Sequence, residues 1–307
     1  MVESPLKNKI TKTPDPPSFL LTIDVEDWFQ VENFKSCISY SSWPSLELRV
    51  ERNTHRILDL LDDYGSTRDP ESGVHNPIKG TFFILGWLAD RLPGLVREIH
   101  SRGHEVASHG NTHVLCRQCD LKDLKEELIS SKKKLEDITG SPVKGFRAPG
   151  FSIDHKILGL VAESGYRYDS SYNSFGLNSR YGQITLSGNP YKSLAQRVSD
   201  GFYELPISNL EVFGKMLPWG GGGYFRLIPS FLFKKGVQHI LKGNRAYLFY
   251  FHPWEIDPSQ PRVNGAPASY KFRHYVNLNK TVTKLQSLFK AFATCRFTTC
   301  SDFLSSP

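Results

Sequence analysis

An α/β fold on a parallel sheet, open or closed into a barrel, is predicted for this sequence by three observations. Short apolar runs alternate with amphipathic helical patterns, as in repeated strand–helix–strand units. Four of those runs end directly in Asp, His, Arg and His, and parallel α/β folds build their sites at the C-terminal ends of strands. The chain has 307 residues, a length that barrels of this class commonly use as one domain.

The strand signals are Phe19–Ile23, Thr81–Leu85, Glu105–Ser108, Val143–Phe146, Phe202–Leu205 and Tyr247–Phe251. Between them, Leu121, Leu124, Leu128, Leu135 and Ile138 form one apolar stripe at helical spacing, with Asp120 placed to cap it and Gly140 to end it. Further helices are predicted from Leu88 to Ser101, from Asp154 to near Gly165, and over about Asn277 to Phe292. Residues 1–17 read as a polar, proline-rich tail, and Gly65 to Lys79 as a surface loop.

Hydrophobic residues make up 39% of the chain, which marks it as globular rather than disordered. Its formal net charge of +7 favours anionic partners, but no Lys/Arg cluster interleaves with aromatics in a nucleic-acid pattern. Lys132, Lys133 and Lys134 lie in the striped helix and read as a solvated face. No run has the length of a membrane helix, and the tail lacks the apolar core of a signal peptide. The expectation is a cytoplasmic protein without a transmembrane segment, with peripheral contact to a membrane left open. Cys116 and Cys119 form a CxxC with no second pair nearby, so they read as structural. The loop Gly220–Gly223 lacks the ending of a phosphate loop, which argues against nucleotide binding.

The run at Phe19 leads into Asp24, Glu26 and Asp27, and side-chain alternation puts Asp24 and Glu26 on one side of an extended strand. His109 and His113 are four apart, a spacing that on a helical turn lets two imidazoles reach one metal. Two histidines and a carboxylate leave coordination positions open, and both zinc hydrolases and non-haem iron oxygenases use that set. Arg147 is suited to pair with an acidic base, and Pro149-Gly150 to form a turn that aims an N–H at an oxyanion. His252 at the end of a strongly apolar run is suited to general acid work.

The ordered motifs TIDVED (22–27), SHGNTH (108–113), FRAPG (146–150) and FHPW (251–254) resemble those of the polysaccharide deacetylase superfamily, carbohydrate esterase family 4 with its NodB homology domain. DVEDWFQV (24–31), GGGYFR (221–226) and FRHYVNLNKT (272–281) further resemble the exopolysaccharide deacetylases of exosortase-linked gene clusters. The resemblance implies an irregular (β/α) barrel over residues 18–255. It also implies a subgroup-specific extension, 256–307, packed on the same domain. Asp24 would be the base, Arg147 its holder and His252 the acid, with the Gly150 N–H stabilising the oxyanion. The metal ligands would be His109, His113 and either Glu26 or Asp27, with Zn2+ the first choice and Co2+, Ni2+ or Fe2+ able to replace it. Asp169 and Glu204 are the candidates for orienting His252.

The implied activity is removal of N-acetyl groups from a polysaccharide or exopolysaccharide precursor. An allantoinase-like amide hydrolase and a non-catalytic glycan-binding protein are the alternatives. Trp219, Tyr224, Arg226, Trp254, Arg273, His274 and Tyr275 are expected in loops that close over the barrel mouth and select the glycan.

Overall fold

A computed structural model describes residues 15–64, 77–176, 181–186 and 193–306. The polar tail before residue 15 and most of the Gly65–Lys79 loop lie outside these residues. In chain order the elements are β1 (Ser18–Val25), α1 (Val50–Asp63), β2 (Thr81–Ile84), α2 (Gly86–Arg91), α3 (Pro93–Ser101), β3 (Glu105–Ser108), α4 (Leu121–Thr139), β4 (Gly145–Phe146), α5 (His155–Glu163) and β5 (Tyr168–Asp169). Then follow β6 (Gln196–Ser199), β7 (Phe202–Glu204), β8 (Leu210–Val212), β9 (Lys215–Leu217), α6 (Gly222–Leu227), α7 (Ser230–Asn244), β10 (Ala246–Phe251), α8 (Ala268–Tyr275), α9 (Thr281–Ala291), β11 (Arg296–Thr298) and α10 (Cys300–Ser305).

The main sheet runs β10-β1-β2-β3-β4-β5-β7-β6, and β11 also pairs with β1. Every pairing is parallel except β6 with β7. Non-strand segments bridge from β7 to β10: Leu248 N donates to Ser208 Oγ and Tyr250 N to the Gly220 carbonyl. The sheet therefore curls towards closure without a regular strand at that seam, and the irregular barrel expected from the motifs is what forms. β8 and β9 make a separate hairpin.

Period-two alternation explains how β1 serves both faces. Phe19, Leu21, Ile23 and Val25 pack in the large core between sheet and helices. On the other face Leu20 belongs to the apolar plug inside the barrel, with Phe83, Ala107, Tyr168 and Leu248. Next on that face come Thr22 and then Asp24, so the interior changes from apolar to ionisable over four residues.

The α4 prediction matches its observed course. Asp120 accepts from Lys122 N, and Gly140 closes the helix at φ 67. The single helix predicted over Leu88–Ser101 is two, α2 and α3, because Pro93 has no N–H to continue the first and restricts Leu92 before it. The helix predicted from Asn277 starts at Thr281, after a 3-10 turn that follows the left-handed Asn277 (φ 53). Helices α1, α6, α7, α8 and α10 had no counterpart in the sequence reading. The segment after residue 255 adds to the same sheet through β11, and its Ser301 N donates to Glu105 on β3. All five cysteines are unpaired, Cys116 and Cys119 included.

Candidate active site

Asp24 ends the inward face of β1 and is buried with Arg147, which leaves β4. Arg147 Nη1 donates to Asp24 Oδ1 at 2.6 Å and to Thr22 Oγ1 at 2.9 Å. Its Nε and Nη2 donate to the Ser170 carbonyl and hydroxyl, and its plane lies over the Phe83 ring at 4.1 Å. Every nitrogen of the guanidinium is thus committed, which fixes one oxygen of Asp24 and leaves Oδ2 facing the cavity.

Glu26 lies one residue beyond the strand on the same side as Asp24. Its Oε1 is 3.0 Å from His109 Nε2 and 2.9 Å from His113 Nε2. The two histidines do not share a helical turn, contrary to the sequence reading. They stand on a loop that reverses through left-handed residues, Gly110 at φ 74 and His113 at φ 56, and this brings the rings 5.5 Å apart. His109 Nδ1 is 2.7 Å from the Arg147 carbonyl. A carbonyl can only accept, so the proton sits on Nδ1, and in the neutral ring the Nε2 lone pair points at Glu26. A lone pair facing an ionised carboxylate calls for a cation between them or a second ring proton.

Burial alone would raise the Glu26 pKa. Nearby His113 and His252 and the hydrogen bonds from His109 and His113 outweigh it and hold the group well below the usual carboxylate range. Glu26, His109 and His113 form the metal-ligand cluster among the described residues, and this donor set fits a divalent cation with positions left open.

Asp27, the alternative ligand in the sequence reading, is directed elsewhere. Its carboxylate accepts from Trp28 N, Arg49 N and Val50 N at 2.8, 2.7 and 2.9 Å, and so caps the start of α1. Strand alternation turns it to the face opposite Glu26.

His252 follows β10, with Nε2 3.9 Å from Asp24 Oδ2 and 4.0 Å from Glu26 Oε1. Behind it, Nδ1 pairs with Glu255 Oε1 at 2.8 Å. Burial disfavours the charged ring, yet Glu26, Glu255 and Asp24 around it raise its pKa to about 9. Glu255 is itself gripped by Arg226, whose Nε donates to Oε2 at 2.7 Å. Arg226 also donates to the carbonyls of Arg273, His274 and Val276. Burial pushes the Glu255 carboxyl up, but Arg226 and His252 bring it below its ordinary value. Gly222 permits this approach, since a Cβ there would stand 2.3 Å from Glu255 Oε1.

Glu255 is the functional residue the sequence reading did not assign, and Arg226, expected to select the glycan, is instead buried against it. The spacing His252-x-x-Glu255 at a strand exit was the available signal, because it makes a capping box. Asp169 and Glu204, expected behind His252, oppose each other on β5 and β7 instead. Asp169 accepts from the Ser171 hydroxyl, which in turn accepts from Ala148 N, so this pair steadies the turn after Arg147. Gly150 occupies that turn at φ 59, and a Cβ there would meet Leu115 at 2.8 Å.

Asp24, Glu26, His109, His113, Gly150 and His252 line one cavity of about 230 Å³. Of the expected glycan-selecting residues, Trp219, Arg226 and His274 are buried, and Trp254 is stacked between His252 and His274. Tyr224 and Arg273 line the outer part of the cavity and are the exposed members of the group there.

Residues 73–168 match the family model "Polysaccharide deacetylase", and residues 170–305 match "Domain of unknown function (DUF3473)". The peptidoglycan deacetylase-like protein of Gibberella zeae is 30% identical over 156 residues, covering 50% of this chain and 43% of that relative. The chitooligosaccharide deacetylase of Sinorhizobium fredii is 30% identical over 113 residues, covering 36% and 47%. The chain thus spans less than half the length of these curated relatives. Among solved structures, one assigned as a polysaccharide deacetylase from Mycobacterium smegmatis superposes with a TM-score of 0.56 at 18% identity, over 95% of this chain and 91% of that one. A peptidoglycan N-acetylglucosamine deacetylase superposes at 0.52 and 14% identity, over 94% and 89%.

Fold and matches together define the class: residues 73–168 carry a polysaccharide deacetylase domain, and the chain has the fold of solved structures of that type. The two matched segments share one sheet, since β1 pairs with β2 of the first and with β10 of the second.

Proposed function

We propose that this chain hydrolyses the N-acetyl group of an N-acetylated glycan, releasing acetate and a free amine. The carrying observation is a division of labour in one cavity: a carboxylate held by Arg147 and an imidazole held by Glu255 flank the Glu26–His109–His113 cluster.

The acetamide carbon sits within reach of Asp24, whose free oxygen takes a proton from the attacking water as the C–O bond forms. Arg147 holds the other oxygen and so restricts Asp24 to the rotamer that serves this. The negative charge that develops on the carbonyl oxygen is met by the Gly150 N–H. His252, protonated on both nitrogens at neutral pH, gives its Nε2 proton to the departing nitrogen as the C–N bond breaks, while Glu255 holds the other side of the ring. A divalent cation bound by Glu26, His109 and His113, with Zn2+ the first choice, would supply Lewis-acid polarisation of the carbonyl and acidify water.

Acetate release from chitooligosaccharides and from acetylated exopolysaccharide fragments, with metal content measured on the same samples, tests this reading. Stoichiometric metal with acetate release supports it. Activity on allantoin and none on any glycan would move the chain to small amide hydrolysis, and no activity with no metal would end the hydrolase reading.

A further inference from the structure

The chain's basic excess is not spread evenly. Residues 212 to 301 hold thirteen Lys and Arg against two acidic residues, Glu255 and Asp257, whereas the rest of the chain holds 25 against 29. Both acids in that stretch are buried, Glu255 against Arg226 and Asp257 against Arg49, so its surface presents cations without anions.

The same stretch exposes apolar side chains. Six of the fourteen exposed large hydrophobics among the described residues lie on α6, α7 and α8: Tyr224, Leu227, Phe231, Leu232, Tyr270 and Phe272. Phe231 is 64% exposed and Phe272 60%. These helices adjoin one another. Two residues separate α6 from α7, and Arg226 of α6 donates to carbonyls at the end of α8. Tyr224, Leu227 and Arg273 also line the cavity, which puts the face at its mouth.

We propose that the α6–α7–α8 face docks on an anionic lipid bilayer. Apolar side chains set among lysines and arginines are the composition that partitions into a headgroup region: the cations meet the surface potential, and the apolar groups enter the acyl boundary. Leu227 and Leu232 offer a sugar neither a ring face nor a hydrogen bond, so additional glycan subsites do not account for the patch. Lys235 follows Phe231 and Leu232 by one helical turn and shares their side of α7. Docked this way, the cavity mouth lies at the membrane surface, where a glycan carried on a lipid would present its sugars. The docking itself does not depend on the deacetylase reading.

Cosedimentation of the full chain with phosphatidylcholine vesicles, with and without phosphatidylglycerol, tests the proposal. The expected result is binding to the anionic vesicles several-fold above the neutral ones, weakened by salt. Lys235→Gln should lower partitioning about fivefold, the share of one surface lysine. Phe231→Ser with Leu232→Ser should lower it at least about tenfold, given the apolar area withdrawn. Acetate release from a soluble oligosaccharide should be unchanged in the serine variant, which shows that it folds. Equal partitioning to both vesicle types would overturn the proposal. So would binding that the serine variant leaves intact. That second outcome, with single-stranded DNA bound as tightly as anionic vesicles, would reduce the face to a basic surface.

Discussion

Two buried arginine–carboxylate pairs support the site, and they do different things. Arg147 holds Asp24 at 2.6 Å, and Asp24 itself faces the cavity. Arg226 holds Glu255 at 2.7 Å, and Glu255 stands behind His252. The first pair fixes the rotamer of a group that is to take a proton itself. The second fixes a group whose negative charge keeps a neighbour protonated. An ion pair with the same chemistry thus yields a base in one place and supports an acid in the other, and the difference lies in what the carboxylate's second oxygen touches.

The strongest contrast should come from removing the acid–base groups themselves. Asp24→Asn should retain metal and lose turnover by about 10²- to 10⁴-fold, since the amide keeps the contact with Arg147 but cannot take a proton. Near-normal acetate release would remove Asp24 from the role of base. His109→Ala or His113→Ala should instead lose the metal while circular dichroism shows the fold intact. Stoichiometric metal in both variants would refute the cluster.

The second pair can then be separated from the first. Glu255→Gln should lower kcat about ten- to a hundredfold with little change in KM, part of what a general acid supplies. It should also shift the alkaline limb of the pH profile down, because one of the charges holding His252 at about 9 is gone. An unchanged pH profile would make Glu255 a scaffold only. Arg226→Met leaves Glu255 Oε2 buried without its ion-pair partner, and should cost about 3–5 kcal/mol of stability by chemical denaturation. A loss within error of zero would mean that the C-terminal segment is held by other contacts.

The smallest effect is expected at Asp27, beside the metal cluster in sequence and apart from it in space. Asp27→Ala should leave metal affinity unchanged and cost about 1–2 kcal/mol, the loss of a helix cap. Glu26→Gln should do the reverse. Weaker metal binding in Asp27→Ala than in Glu26→Gln would exchange their roles.

The legibility of the two pairs differs for a physical reason. Arg147 and Asp24 each follow a hydrophobic run, and a strand end in a parallel sheet places the next side chain at the site whatever the intervening loops do. Period-two alternation was enough to separate Glu26 from Asp27 in direction, although what Asp27 caps required the path of the chain at Arg49. Arg226 gave no such signal. It lies on a six-residue helix whose sequence is mostly glycine and apolar residues, and its partners are Glu255, 29 residues away, and carbonyls 47 to 50 residues away.

The sequence by itself determined the strand exits, hence the parallel sheet, the cluster of Asp24, Glu26, His109, Arg147 and His252 at one end of it, and the cap and stop of α4. These depend on periodicity and on which residue follows a strand, both local properties. Tertiary structure alone decided which carboxylate stands behind His252. Asp169 and Glu204 have the right chemistry at strand ends, but β5 and β7 are neighbours, so those two carboxylates face each other. The loop conformation that turns His113 towards His109, and the tie between α6 and the end of α8, were likewise settled by chain path. Residues far apart in sequence meet only when the packed helices bring them together, and no local pattern carries that information.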